Sequence, residues 1–281
     1  MNKLPLEKRV AVLSALVEGN SLRSTSRMVG VSINTVTKML VDAGNACAKY
    51  QREVMKDLPC HRLQLDEIWS FCAMKQKNIP AERRDEFGIG DVWTWVAICA
   101  ESKLVPCWLV GLRDSCHAVA FVKDLASRLT NRVQVTSDGL RTYIEAMEQG
   151  FGGAVDYAML VKIYSPEGSK QSPETRYSPG ECCGTETNIV TGQPEEAHIS
   201  TSFVERQNLT MRMKMRRFTR LTNGFSKKFE NHEHSVALHF FHYNFIRRHQ
   251  TLRMPPALKA GVADHWWTLE ELAELIERES R

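Results

Sequence analysis

No stretch of this sequence approaches the roughly 20 consecutive apolar residues that span a bilayer. Its start, Met1-Asn2-Lys3-Leu4-Pro5-Leu6-Glu7-Lys8-Arg9, lacks the apolar run and cleavage site of a signal peptide. These absences predict a cytoplasmic, nucleoid-associated protein with no membrane partner. Cysteine is sparse, 8 in 281 residues with no C-x-x-C pair, which excludes a disulfide scaffold and a zinc ribbon and leaves reduced thiols. An excess of one charge is missing as well: 37 Lys+Arg against 33 Asp+Glu leaves +4, too little to name a partner. No internal repeat is present. With 43% hydrophobic residues, the chain is able to bury a sizeable core, and disorder is excluded for most of its length.

The distribution of charge is more informative than its sum. From Arg206 to Lys228 the basic residues Arg206, Arg212, Lys214, Arg216, Arg217, Arg220, Lys227 and Lys228 occur with no acidic residue between them, a local +8. Such a segment is a candidate phosphate-binding surface.

Helical spacing of apolar residues marks three N-terminal helices: residues 6–17, Leu22 to Val29 after Ser21 as N-cap, and Ile33 to Ala43 after the turn Gly30-Val31-Ser32. Two short helices joined by a Gly-containing turn read as a helix-turn-helix. Leu22, Val29, Val31, Val36 and Leu40 would face inward, and Asn34, Thr35, Thr37 and Lys38 outward, towards base edges and phosphates in a major groove. An ordinary three-helix bundle shares this pattern. Residues 44–60 read as a polar helical linker ended by Pro59.

After it the period changes to that of strands: Arg62 to Phe71 alternates, and Val92 to Ala100 and Leu104 to Val110 follow, joined as a hairpin by Glu101-Ser102-Lys103. A helix near Ser115 to Leu129, a strand Arg132 to Thr136, a helix Thr142 to Gln149 and a strand Tyr157 to Ile163 complete an α/β pattern, a mixed sheet with flanking helices. Tyr164 to Ala197, rich in Pro and Gly, reads as an exposed loop or insertion, with Cys182-Cys183 as exposed thiols. Ser200 to Arg217, Ser226 to Arg248 and Leu269 to Arg278 are helical by composition.

Asp66 has Leu65, Ile68, Trp69 and Phe71 as neighbours, and an ionised carboxylate there is costly unless a cation compensates it. Asp138 follows an apolar strand and precedes Gly139, which places it at the carboxyl edge of the sheet, where open α/β sheets take ligands. Glu205 lies in the helix that begins the basic segment. Converging at one edge, three such carboxylates can hold two Mg²⁺ ions through hard oxygen ligands. Alternation puts Asp66 and Glu67 on opposite faces, and spacing does not choose between them. Asn208, Leu209 and Arg212 share the helical face of Glu205, so Asn208 and Arg212 are candidate phosphate contacts. His232, His234, His239 and His242 lack the partners of a closed metal site and read as packed or surface histidines.

Leu65-Asp66-Glu67-Ile68-Trp69-Ser70-Phe71, Ser137-Asp138-Gly139 with Tyr143, and Phe203-Val204-Glu205-Arg206-Gln207-Asn208-Leu209-Thr210-Met211-Arg212 resemble the three acidic motifs of DDE transposases of the insertion-sequence-one family. Arg216 to Ser226, and Tyr243-Asn244 through Arg248-His249 to Pro256, extend the resemblance, which covers about residues 60 to 275. Members often carry a cysteine zinc motif ahead of the helix-turn-helix; here there is no C-x-x-C pair.

The resemblance implies a ribonuclease-H-like core with Asp66, Asp138 and Glu205 as catalytic triad and ligands of two Mg²⁺ ions, for which Mn²⁺ can substitute. It implies cleavage and strand transfer at the ends of an insertion sequence, a mobile genetic element. Double-stranded DNA, both element ends and target, would be the partner of a homo-oligomer assembled on it. Asn34, Thr35, Thr37, Lys38, Asn208, Arg212, Arg216, Arg217 and Arg220 are the expected DNA contacts. The expected division is 1–44 helix-turn-helix, 45–60 helical linker, 61–250 catalytic domain with a loop insertion 164–198, and 251–281 helical tail. The alternatives are a nuclease that cuts without joining, and a helix-turn-helix regulator whose catalytic-like domain is inactive.

Overall fold

Strand β1 (Arg62–Cys72) organises the molecule because its two faces are both covered. The computed structural model describes residues 4–164, 182–219 and 222–279. Ahead of β1 come helices α1 (Leu6–Val17), α2 (Leu22–Val29) and α3 (Ile33–Val54). After it come β2 (Gly90–Cys99), β3 (Trp108–Gly111), α4 (Ser115–Ala126), β4 (Val133–Ser137), α5 (Thr142–Phe151), β5 (Val155–Tyr164) and β6 (Cys182–Thr191). The chain continues as α6 (Ser202–Lys214), α7 (Phe229–Phe241), α8 (Pro256–Lys259) and α9 (Leu269–Glu279). The six strands form one mixed sheet in the order β3-β2-β1-β4-β5-β6. β1, β4 and β5 run parallel, while β2, β3 and β6 pair antiparallel with their neighbours.

Alternation along β1 sorts its side chains onto two cores. Leu63 and Leu65 join Trp95, Phe121 of α4 and Tyr143 of α5 on one face. Ile68 joins Val204 and Met211 of α6 and Val236 and Phe240 of α7 on the other. Buried Gln64, on the second face, accepts hydrogen bonds from the backbone N–H groups of Phe203 (2.7 Å) and Val204 (3.2 Å). No side chain of α6's own N-cap residue serves that end, so a strand glutamine satisfies its otherwise orphaned donors and pins the helix over β1.

The turn between α2 and α3 forms as expected. Gly30 takes the left-handed conformation (φ 67°), and Ser32 caps α3 by accepting from the Thr35 N–H at 3.1 Å. Helix α3 does not stop at Ala43, however. It runs on to Val54, and residues 44–54 are no polar linker, because Ala46, Cys47 and Gln51 continue the buried face of Val36, Leu40 and Ala43. Gly44 does not break it, since its missing side chain admits α7: a Cβ there would lie 2.3 Å from the His234 Cβ and 2.5 Å from its Cα. Gly44→Ala is therefore expected to destabilise the fold by about 1–3 kcal/mol, measured by denaturant unfolding, despite alanine's better helix propensity.

Three further expectations are corrected. The expected loop Tyr164 to Ala197 contains β6, ten residues that pair with β5; the sequence hides it because its exposed edge has no buried face and so no alternation. Residues 165–181 of that stretch lie outside the described residues. The expected strand Leu104 to Val110 joins the sheet only from Trp108 to Gly111, after Pro106, which has no N–H to give. The expected helix Ser226 to Arg248 begins at Phe229 and ends in a π-turn, His242–Ile246. There buried Asn244 accepts from the Val105 N–H and donates to the Val105 carbonyl, each at 3.0 Å, and Tyr243 donates to the Lys103 carbonyl, tying the β2–β3 connection to the end of α7.

Candidate active site

The parallel register pairs Leu65 of β1 with Ser137 of β4. The next residues on the two chains, Asp66 and Asp138, therefore stand level at the point where β4 ends and β1 continues. Oxygens of Asp66, Glu67 and Asp138 lie within 4.8 Å of one another. Asp66 is on the α6 face: its Oδ2 accepts from Asn208 Nδ2 at 2.8 Å, and its Oδ1 from the Glu67 N–H at 2.8 Å. Glu67 points to the opposite face, buried beside the Tyr143 hydroxyl, with one oxygen accepting from Arg113 Nε at 2.9 Å. Asp138 Oδ1 accepts from the Leu140 N–H at 3.0 Å, and Arg113 Nη2 reaches its Oδ2 at 3.8 Å. Arg113 itself stacks on Trp93, 4.8 Å from the ring centre.

Burial raises the Asp66 carboxyl to about 7, helped by the negative charge of Asp138 and opposed by the Glu67 N–H and Asn208. Burial raises Glu67 to about 7 as well, with Asp138 and Asp66 adding to it and Arg113 opposing. The cluster is thus short of positive charge. A hard, oxygen-only donor set with unneutralised charge fits a divalent cation such as Mg²⁺ or Mn²⁺.

Glu205 occupies the α6 face with Asp66, one helical turn before Asn208, but its carboxylate is engaged elsewhere. Lys162 of β5 donates to both its oxygens at 2.5 Å, and Thr201 donates to Oε1 at 2.6 Å. The structure thus gathers Asp66 and Asp138 with Glu67, and holds Glu205 beside them through a lysine.

The expected nucleic-acid contacts are distributed unevenly. Asn34 and Lys38 on α3 are exposed, Lys38 in an ion pair with Asp42 at 2.5 Å. The Thr35 hydroxyl bonds Ser32 at 2.8 Å, and the Thr37 hydroxyl donates to the Ile33 carbonyl at 2.9 Å. Asn208 is buried on Asp66, Arg212 is half-buried and Arg216 is exposed. Arg217 donates to Ser226 at 2.9 Å, and burial lowers its guanidinium to about 10; Ser226 in turn bonds buried His232 at 2.8 Å. Arg220 lies outside the described residues. Arg23, Lys214, Arg216, Arg217 and Lys227 line one cleft of about 760 Å³ between the α1–α2 turn and the basic segment. The histidines are packed: burial lowers His232 and His239 to about 3 and His242 to about 4. Cys182 and Cys183 are exposed, as expected.

Gln64, Arg113 and Lys162 escaped the sequence reading, because they act through partners 43 to 140 residues away; Glu67 was weighed there, as the other half of the Asp66-Glu67 ambiguity.

No protein-family model matches the sequence, and comparison with curated proteins gives no match. Among solved structures, the chain is similar to a piggyBac transposase synaptic complex with hairpin DNA at TM-score 0.42 and 10% identity, over 98% of this chain and 70% of that one. It is similar to a Mos1 transposase paired-end complex with the left transposon end at 0.22 and 16%, over 53% and 58%. A Mos1 strand transfer complex is similar at 0.23 and 14%, over 86% and 78%. These likenesses are weak, and function is therefore read from the carboxylates and the strands that carry them.

Proposed function

We propose that this protein is a DDE transposase of the insertion-sequence-one type, cutting DNA at the ends of a mobile element and joining them to a target. The observation that carries this reading is the level placement of Asp66 on β1 and Asp138 just past the end of the adjacent parallel strand β4, with Glu205 held on the Asp66 face by a helix anchored to β1. A ribonuclease-H-like catalytic core needs that arrangement of three carboxylates.

Asp66, Asp138 and Glu205 would hold two Mg²⁺ ions, or Mn²⁺ in their place, which supply stabilisation of the attacking and leaving oxygens in an in-line phosphoryl transfer. Asn208 orients Asp66 through its amide, and the Leu140 N–H orients Asp138. Arg113 steadies Glu67 and Asp138 from the opposite side. In the first step water attacks phosphorus and the bond to the 3′ oxygen breaks. In the second the freed 3′ hydroxyl attacks a target phosphodiester and displaces its 3′ oxygen.

The N-terminal helices serve as a helix-turn-helix, presenting Asn34 and Lys38 to bases and phosphates. The cationic cleft behind them, with Arg216 exposed at it, takes the phosphate backbone. Incubating the protein and Mg²⁺ with duplexes ending in the repeats that flank its coding region is expected to give molecules joined to target DNA. Nicks without joining would indicate a nuclease, and binding without cleavage a regulator.

A further inference from the structure

Both oxygens of Glu205 are taken by the ammonium group of Lys162, and the three other carboxylates of the site converge without it. We propose that Lys162 is the resident counter-cation of Glu205, a positioning residue that surrenders this carboxylate to a divalent metal ion and so sets the metal affinity of the site. The inference rests on Glu205 being a metal ligand, as proposed above.

Three observations carry it. First, Lys162 is placed by the sheet: it lies on β5 opposite Thr185 of β6, on the strand beside β4, which ends one residue before Asp138. Second, the pair is partly open to solvent, with side chains 30% and 41% exposed. An ion pair in such a setting shifts an equilibrium by no more than about fivefold, so a doubly charged ion can displace it. Third, the named side chains are unbalanced in charge: four carboxylates, Asp66, Glu67, Asp138 and Glu205, face two cations, Arg113 and Lys162.

The lysine stem has four rotatable carbons, so its ammonium can leave Glu205 without backbone movement. Thr201 stays behind and keeps the carboxylate oriented through Oε1. The released ammonium remains at the edge of the site, free to meet an oxygen of the bound phosphodiester. Lys162 thus exchanges a carboxylate partner for a phosphate partner when substrate and metal are present.

The test is Mn²⁺ binding to the full chain without DNA, followed by paramagnetic resonance of the free ion. Lys162→Met is expected to bind Mn²⁺ about three- to fivefold tighter than wild type. Lys162→Arg, which keeps a cation on Glu205, is expected to bind no tighter. A lysine with only a structural role would give the opposite sign, since a loosened Glu205 weakens the site. Unchanged or weaker binding by Lys162→Met, where wild type has an Mn²⁺ site that Asp66→Asn removes, would overturn this inference alone. Absence of any such site in wild type would overturn the metal reading and the inference with it.

Discussion

Asp66→Asn and Asp138→Asn are each expected to lower metal-dependent strand cleavage by about three orders of magnitude or more, with duplex binding within a few-fold of wild type. An amide preserves the size of each side chain and its contact with Asn208 or Leu140, but removes the charge on which metal-assisted phosphoryl transfer depends, a contribution of several kcal/mol. Glu205→Gln should follow them. Glu67→Gln should lose far less, on the order of tenfold, because Glu67 points to the Tyr143 face and acts on Asp138 through Arg113. Cleavage rates under single-turnover conditions separate the four. An intact rate in Asp66→Asn, with loss in Glu67→Gln, would reverse the assignment on β1.

The same substitution should stabilise the protein it inactivates. Asp66 and Glu67 titrate near 7 when folded, against ordinary values of 3.8 and 4.5. Their protonated forms are favoured in the fold, so the stability they contribute is fully present below about pH 4 and is lost as pH rises through about 7. Above that pH, in chelator, Asp66→Asn is expected to raise unfolding stability by on the order of 1–3 kcal/mol, and to flatten the decline between pH 4 and 7. Divalent metal should then raise the melting temperature of wild type but not of the variant. A wild type whose stability rises across that interval, or an Asp66→Asn variant that melts lower at pH 8, would contradict the buried, uncompensated charge. Catalytic carboxylates held together at a cost to the fold are the expected trade between activity and stability.

How much of this was legible in the sequence depended on the range of the interaction. The alternation of Arg62 to Phe71 marked β1, and Asp138 was placed at a strand end by the apolar run before it and Gly139 after it. Both are local signals. Whether Asp66 or Glu67 shares a face with Glu205 depends on which face α6 covers, and that is set by Gln64 meeting Phe203 and Val204 across 139 and 140 residues. Lys162 on Glu205 is likewise a tertiary fact. Helix α3 was ended at Ala43 because residues 44–54 read as polar, whereas Ala46, Cys47 and Gln51 continue its buried face against α7, to which the bare Gly44 gives room. Strand β6 was missed because an edge strand with little buried surface carries no binary pattern. In the basic segment, charge count alone ranked Arg217 with Arg216, although Arg217 is spent on Ser226 and Arg216 is exposed.

The most direct test of a shared site for Asp66, Asp138 and Glu205 is affinity cleavage of the protein itself. Fe²⁺ with ascorbate and peroxide would be added in place of Mg²⁺, and the cut positions in the backbone mapped by mass spectrometry. The convergence of β1, β4 and α6 predicts cuts clustered around residues 66, 138 and 205, all suppressed by excess Mg²⁺ and all lost in Asp66→Asn. Cuts near 66 and 138 with none near 205, or a pattern indifferent to Asp66→Asn, would contradict a metal site built from these three carboxylates.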